Sequence, residues 1–145
     1  MAATLLTARR VLAYTECNGG GTFWPWGEPV THIKAGYLVG GVVRGVRLAW
    51  DKGESLAALE RKVRDFLTVA IPVIQRTPQT YLGTWIDDDG WLYLDVAQWE
   101  PTLVEAIALG IARHEKAVYD CRAHVAQACP TLTAPGRAAL EQVYN

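Results

Sequence analysis

Three aspartates in a row, Asp87-Asp88-Asp89, followed by Gly90, are the residues in this 145-residue chain that most invite a chemical role. Hard cations take several oxygen ligands. A calcium loop needs oxygens at alternate positions before its glycine, however, and Trp85 stands where the first would fall. Adjacent carboxylates on a short turn also point in different directions, so the expectation is a solvated turn without metal. Cys121, His124 and Cys129 give the spacing Cys-x2-His-x4-Cys, which lacks a fourth zinc ligand unless Cys17 or His114 reaches it. A thiol nucleophile needs one of the three cysteines beside His32, His114 or His124, and no local pattern selects a pair. Asp95 lies among aromatics on an expected strand, where burial would raise its pKa. No catalytic residue and no cofactor is assigned, and a binding protein is expected rather than an enzyme.

Two features point to binding. Asn18-Gly19-Gly20-Gly21 reads as the start of a long loop running to Pro29, and such a loop can close over a nucleotide-like ligand. It lacks the Gly-Lys-Ser/Thr and the following helix that phosphate-binding fingerprints require. Trp24 and Trp26 flank Pro25 in the same loop. Exposed aromatics on a loop are typical anchors for a protein partner or a flat ligand; the alternative is that both lid the core.

The element expected to position these groups is a β-hairpin over residues 81–99, two aromatic-rich and aliphatic runs split by the acidic turn. A two- or four-residue loop puts Trp85 on the face of Leu92, Leu94 and Val96. Trp91, Tyr93 and Asp95 then join Leu82, Thr84 and Ile86. A three-residue loop exchanges the two sets, because a one-residue slip flips every side chain. Both faces are substantially apolar, so the hairpin is central or one face is a contact surface.

Around it, Arg9–Thr15 reads as a first strand, Gly36–Trp50 as a second strand region whose glycines at 40, 41 and 45 suit a bulge, a bend or another backbone close by, and Ala117–Asp120 as a last strand. Leu56, Leu59, Val63, Phe66, Leu67, Ala70 and Ile74 form an apolar stripe that predicts a helix over about 55–71, kinked or ended near Ala70 by Pro72. Glu60 with Arg64, and Arg61 with Asp65, are spaced to pair along it. Val104, Ile107, Ala108 and Ile111 predict a second helix over about 102–114. Arg137–Tyr144 fits a short terminal helix. The expectation is one α+β domain over 1–145, with 1–8 and 121–145 peripheral: a mostly antiparallel sheet against two main helices.

Half of the residues are hydrophobic and the net charge is −1, which suits a globular chain and gives no basic field for nucleic acid. The first 76 residues carry ten Lys/Arg against six Asp/Glu (+4), the remainder four against nine (−5). That polarity suits head-to-tail stacking of copies as well as ordinary surface scatter. An odd cysteine count favours free thiols in a reducing compartment. The longest apolar run, Gly36–Val43, is far too short to span a membrane. A cytoplasmic protein is expected.

Taken together, Gly36-Tyr37-Leu38-Val39-Gly40-Gly41, Tyr81-Leu82-Gly83-Thr84-Trp85-Ile86-Asp87, Tyr93-Leu94-Asp95-Val96 and Ala117-Val118-Tyr119-Asp120 resemble a group of small proteins encoded by bacteriophages and by actinobacterial prophage-like elements. The resemblance covers about residues 36–120, and the tail after Asp120 departs from it. It implies a phage or mobile-element accessory protein inside a bacterial cell and brings no catalytic residue. The function expected is non-enzymatic binding to a host or phage protein through Trp24, Trp26, Trp91, Tyr93 and Asp95. The alternative is a small-ligand binding or sequestering protein, built on Asn18–Gly21 and able to form homo-oligomers.

Overall fold

Thr7, Ser55 and Thr102 begin the three helices among the described residues in the same way. Each stands in extended conformation, and its hydroxyl accepts from a backbone N–H three residues on, at 3.2–3.3 Å. Such caps satisfy donors that a helix start leaves unpaired. The computed structural model describes residues 6–26, 29–30, 33–115 and 117–123, and the backbone of 125–128. The expected terminal helix at 137–144 lies outside these. The protein is α+β, with the elements α1 (Ala8–Asn18), β1 (Gly20–Phe23), β2 (Tyr37–Val39), β3 (Val46–Ala49), α2 (Leu56–Arg76), β4 (Thr80–Ile86), β5 (Trp91–Glu100), α3 (Leu103–Ala112), β6 (Ala117–Asp120) and β7 (Val125–Ala128). Among the described residues no helix is long and apolar enough to cross a membrane.

The chain divides into two compact units, the first Met1–Thr31 with Val43–Val96, the second His32–Val42 with Ala97–Asn145. In the first, the strands lie in the order β1-β4-β5-β3, antiparallel throughout. One sheet face is inner: Phe23, Leu48, Leu82, Leu92, Leu94 and Val96 are buried there. The helices cover it. Ala8, Val11, Leu12 and Thr15 of α1 are buried, as are Leu59, Val63, Phe66, Leu67, Ala70 and Ile74 of α2. Thr15 and Thr84 share a buried hydroxyl–hydroxyl hydrogen bond of 2.7 Å, which ties α1 to β4. Leaving either oxygen alone in this core would cost about 1–3 kcal/mol.

Three expectations are corrected here. Arg9–Thr15 is helix, not strand, because 8, 11, 12 and 15 follow the helical period. Gly19 then stops the helix in the left-handed region (φ +75°), and its N–H donates to the Thr15 carbonyl. The loop expected from Asn18 gives way at once to strand β1. Helix α2 also continues past Pro72 to Arg76, since the buried Ile74 anchors the last turn and offsets the lost backbone bond. On its surface Glu60 accepts from Arg9 at 3.2 Å rather than from Arg64.

The second unit packs α3 on β2 and β6 around Val39, Ala106, Ile107, Ile111 and Val118, with strands in the order β5-β2-β6-β7. Arg113, just past α3, donates to the carbonyls of Val39 and Gly40 and, at 2.8 Å, to Gln98. Close packing here needs the glycine at 41: a Cβ on Gly41 (φ +82°) would lie 2.6 Å from the Glu115 carboxylate and 3.1 Å from the Arg113 Cβ. Strand β7, in the segment expected to be peripheral, pairs with β6 across a turn where Asp120 accepts from the N–H groups of Arg122 and Ala123.

Candidate functional site

The hairpin turn decides which side chains face out. The Asp87 N–H donates to the Trp91 carbonyl at 3.0 Å, so Asp88, Asp89 and Gly90 form a three-residue loop. Gly90, at φ +80°, supplies the left-handed residue such loops require. Of the two registers open from sequence, this one puts Trp85 with Trp91, Tyr93 and Asp95, and buries Leu82 and Thr84 with Leu92 and Leu94. The signal was Gly90 itself: a glycine closing an Asp-rich turn marks the bulged three-residue loop.

With both helices on the inner face, the outer face of the first unit carries rings. Trp85 stacks on Tyr93 with centroids 4.3 Å apart and planes 9° from parallel. Trp24 lies parallel to Tyr81 at 6.4 Å. Arg47, opposite Tyr93 in the ladder, sets its guanidinium 4.0 Å from the Trp91 ring, and the Lys52 ammonium is 5.0 Å away. Trp24, Trp26 and Trp85 remain 42, 48 and 52 % exposed. An aromatic side chain left half in water forgoes a large hydrophobic gain, and three indoles of this unit stand in that position.

Of the residues singled out from sequence, Trp91, Tyr93 and Asp95 share this face on β5, and Trp24 and Trp26 occupy the turn after β1. Asp95 is half-buried and accepts from the Val96 N–H at 2.8 Å. Asn18 ends α1, its amide donating to the Tyr14 carbonyl; Gly19 caps it; Gly20 and Gly21 lie in β1. A Cβ on Gly20 would be 2.7 Å from the Thr84 carbonyl, and one on Gly21 would be 2.9 Å from the Phe23 ring, so these glycines serve close packing. Sequence reading did not single out Tyr81, Arg47 or Lys52, whose partners are cross-strand or in another loop.

Three titratable groups are shifted by their surroundings: burial, with Cys121 and Asp120 nearby, raises the Tyr119 pKa, and Asp87 and Cys121 move as follows. Partial desolvation would raise the Asp87 pKa. Hydrogen bonds from the Trp91 N–H, the Tyr93 hydroxyl and the Asp89 N–H, with Arg47 nearby, outweigh it and hold the carboxyl below its usual value. A lowered folded pKa contributes stability that is complete above the unfolded value, about pH 4, and is lost as pH falls through the folded value. The denaturation midpoint is therefore expected to drop on acidification below about pH 4. Asp87→Asn should lack that share of the drop; parallel titrations of the two midpoints check it. The Cys121 thiol is buried, and burial with Asp120 beside it pushes its pKa up to about 11, so it is protonated at neutral pH. Among the described residues no three His, Cys, Asp or Glu side chains are placed to hold a metal; His124 and Cys129 lie outside those residues.

The fold and this face define a class: an α+β protein whose sheet is helix-covered on one side of its first unit and ring-bearing on the other. Comparison with protein-family models, with curated proteins and with solved structures finds no match.

Proposed function

We propose that the protein works by non-enzymatic docking of a partner protein on the ring-bearing face of its first unit. The setting is the one the resemblance implies, a phage or mobile-element accessory protein acting on a host or phage protein in the bacterial cytoplasm. The observation that carries the reading is the exposure of Trp24, Trp26 and Trp85 while the aliphatic side chains of the inner sheet face are buried. Interface hot spots are enriched in Trp, Tyr and Arg, and this face offers all three. Nucleic acid suits it less: Arg47 and Lys52 are its basic groups, and Asp51 and Asp87–Asp89 stand near them.

Binding through this face should not survive loss of its rings. A partner recovered in stoichiometric amount by the tagged protein is expected to be lost with Trp85→Ala combined with Trp24→Ala, each anchor costing about 2 kcal/mol or more. Circular dichroism of the double variant should match the parent, since both side chains are exposed. Full binding by the folded double variant would assign the contact to another surface.

A further inference from the structure

The turn carrying Trp24 and Trp26 forms a cleft of about 310 Å³ with the end of α2 and the start of β4. Among the described residues its lining includes Trp24, Trp26, Tyr81, Ile74, Gln75 and Gln79 and no charged residue. Three features give it a preference for positive charge. Aromatic ring faces attract cations. The carbonyl end of a helix carries partial negative charge, and the cleft is built on the last turn of α2. Amide oxygens at Gln75 and Gln79 can accept from a fork of N–H donors. Arg76, in the same turn, is exposed and is not among the lining residues. The same unit already shows this chemistry satisfied internally, where Arg47 and Lys52 sit over Trp91.

We infer that the cleft of Trp24, Trp26 and Tyr81 receives an arginine side chain of the partner protein. This rests on the docking function proposed above and names the group that enters. Arginine fits better than lysine because its planar guanidinium stacks on rings while presenting in-plane donors to the glutamine amides.

The test uses N-acetyl-arginine amide as probe and N-acetyl-citrulline amide as its uncharged isostere, followed through the indole N–H signals of the whole protein. The arginine probe should shift the Trp24 and Trp26 signals saturably and bind about tenfold more tightly than citrulline. Trp24→Leu or Tyr81→Leu should weaken it by about the same factor, and Trp85→Ala should leave it unchanged. Equal binding of the two probes, shifts confined to Trp91, or no shift would each overturn the inference. If the arginine probe fails while a partner is still captured through Trp85, the cleft assignment alone falls. If no partner depends on Trp85 while the probe still binds, the docking function falls, and with it the partner as source of the guanidinium.

Discussion

Phe23→Ala is expected to destabilise the protein by about 3–5 kcal/mol, the range for emptying a well-packed aromatic site. Phe23 is 1 % exposed, lies opposite Leu82 in the β1–β4 ladder and meets Tyr14 of α1 edge-on, with centroids 5.4 Å apart. The site cannot collapse easily, because a sheet backs it and Tyr14 is held by the helix that Thr15 ties to Thr84. Transfer loss and residual cavity therefore add. Denaturant titration followed by far-ultraviolet circular dichroism should show a lower midpoint with little change in slope. Phe23→Leu should recover about half of the loss, since it refills most of the volume. A loss below about 1 kcal/mol for the alanine variant would mean that β1 contributes little to the first unit.

Gly36→Ala is the second large effect, at about 3 kcal/mol, and its causes can be separated. Gly36 has φ +77°, where a Cβ costs about 1–2 kcal/mol. The Trp99 indole also fills the space the Cβ would need, held there by its Nε1–H donating to the Ala35 carbonyl at 2.9 Å. Overpacking adds about 1–3 kcal/mol. In a Trp99→Ala background the steric share disappears and only the backbone share should remain. A double-mutant cycle in denaturant midpoint measures that coupling. Additive losses would show that the indole yields freely. The Gly36 carbonyl also accepts from the Cys121 N–H at 3.0 Å, so strain here bears on the β2–β6 pairing that follows.

These two sites show what was legible in the sequence. The hairpin and helices α2 and α3 were, because their apolar residues repeat at the period of the element and no tertiary contact has to be known. Helix α1 was not: Val11, Leu12 and Ala13 between Arg10 and Tyr14 suit either period, and the signals that decide are a capping threonine before it and a stopping glycine after it. Phe23 and Gly36 were missed because their importance lies in residues far along the chain, Leu82 and Trp99. The same holds for the candidate site. The exposed indoles at 24 and 26 follow from an aromatic-rich turn, whereas the Trp85–Tyr93 stack depends on a one-residue difference in loop length, and Arg47 reaches Trp91 only through strand pairing.

The flank of β1 bears on how a ring-rich surface stays dispersed. Phe23 bridges to Pro29, and the Val30 N–H donates to the Thr22 carbonyl at 2.8 Å. Proline brings no N–H to continue a ladder. At Thr22 and Phe23 that margin is thus closed to zippering by a neighbouring polypeptide, and encounters there are steered toward side-chain recognition, where selectivity is easier to build than along a bare backbone.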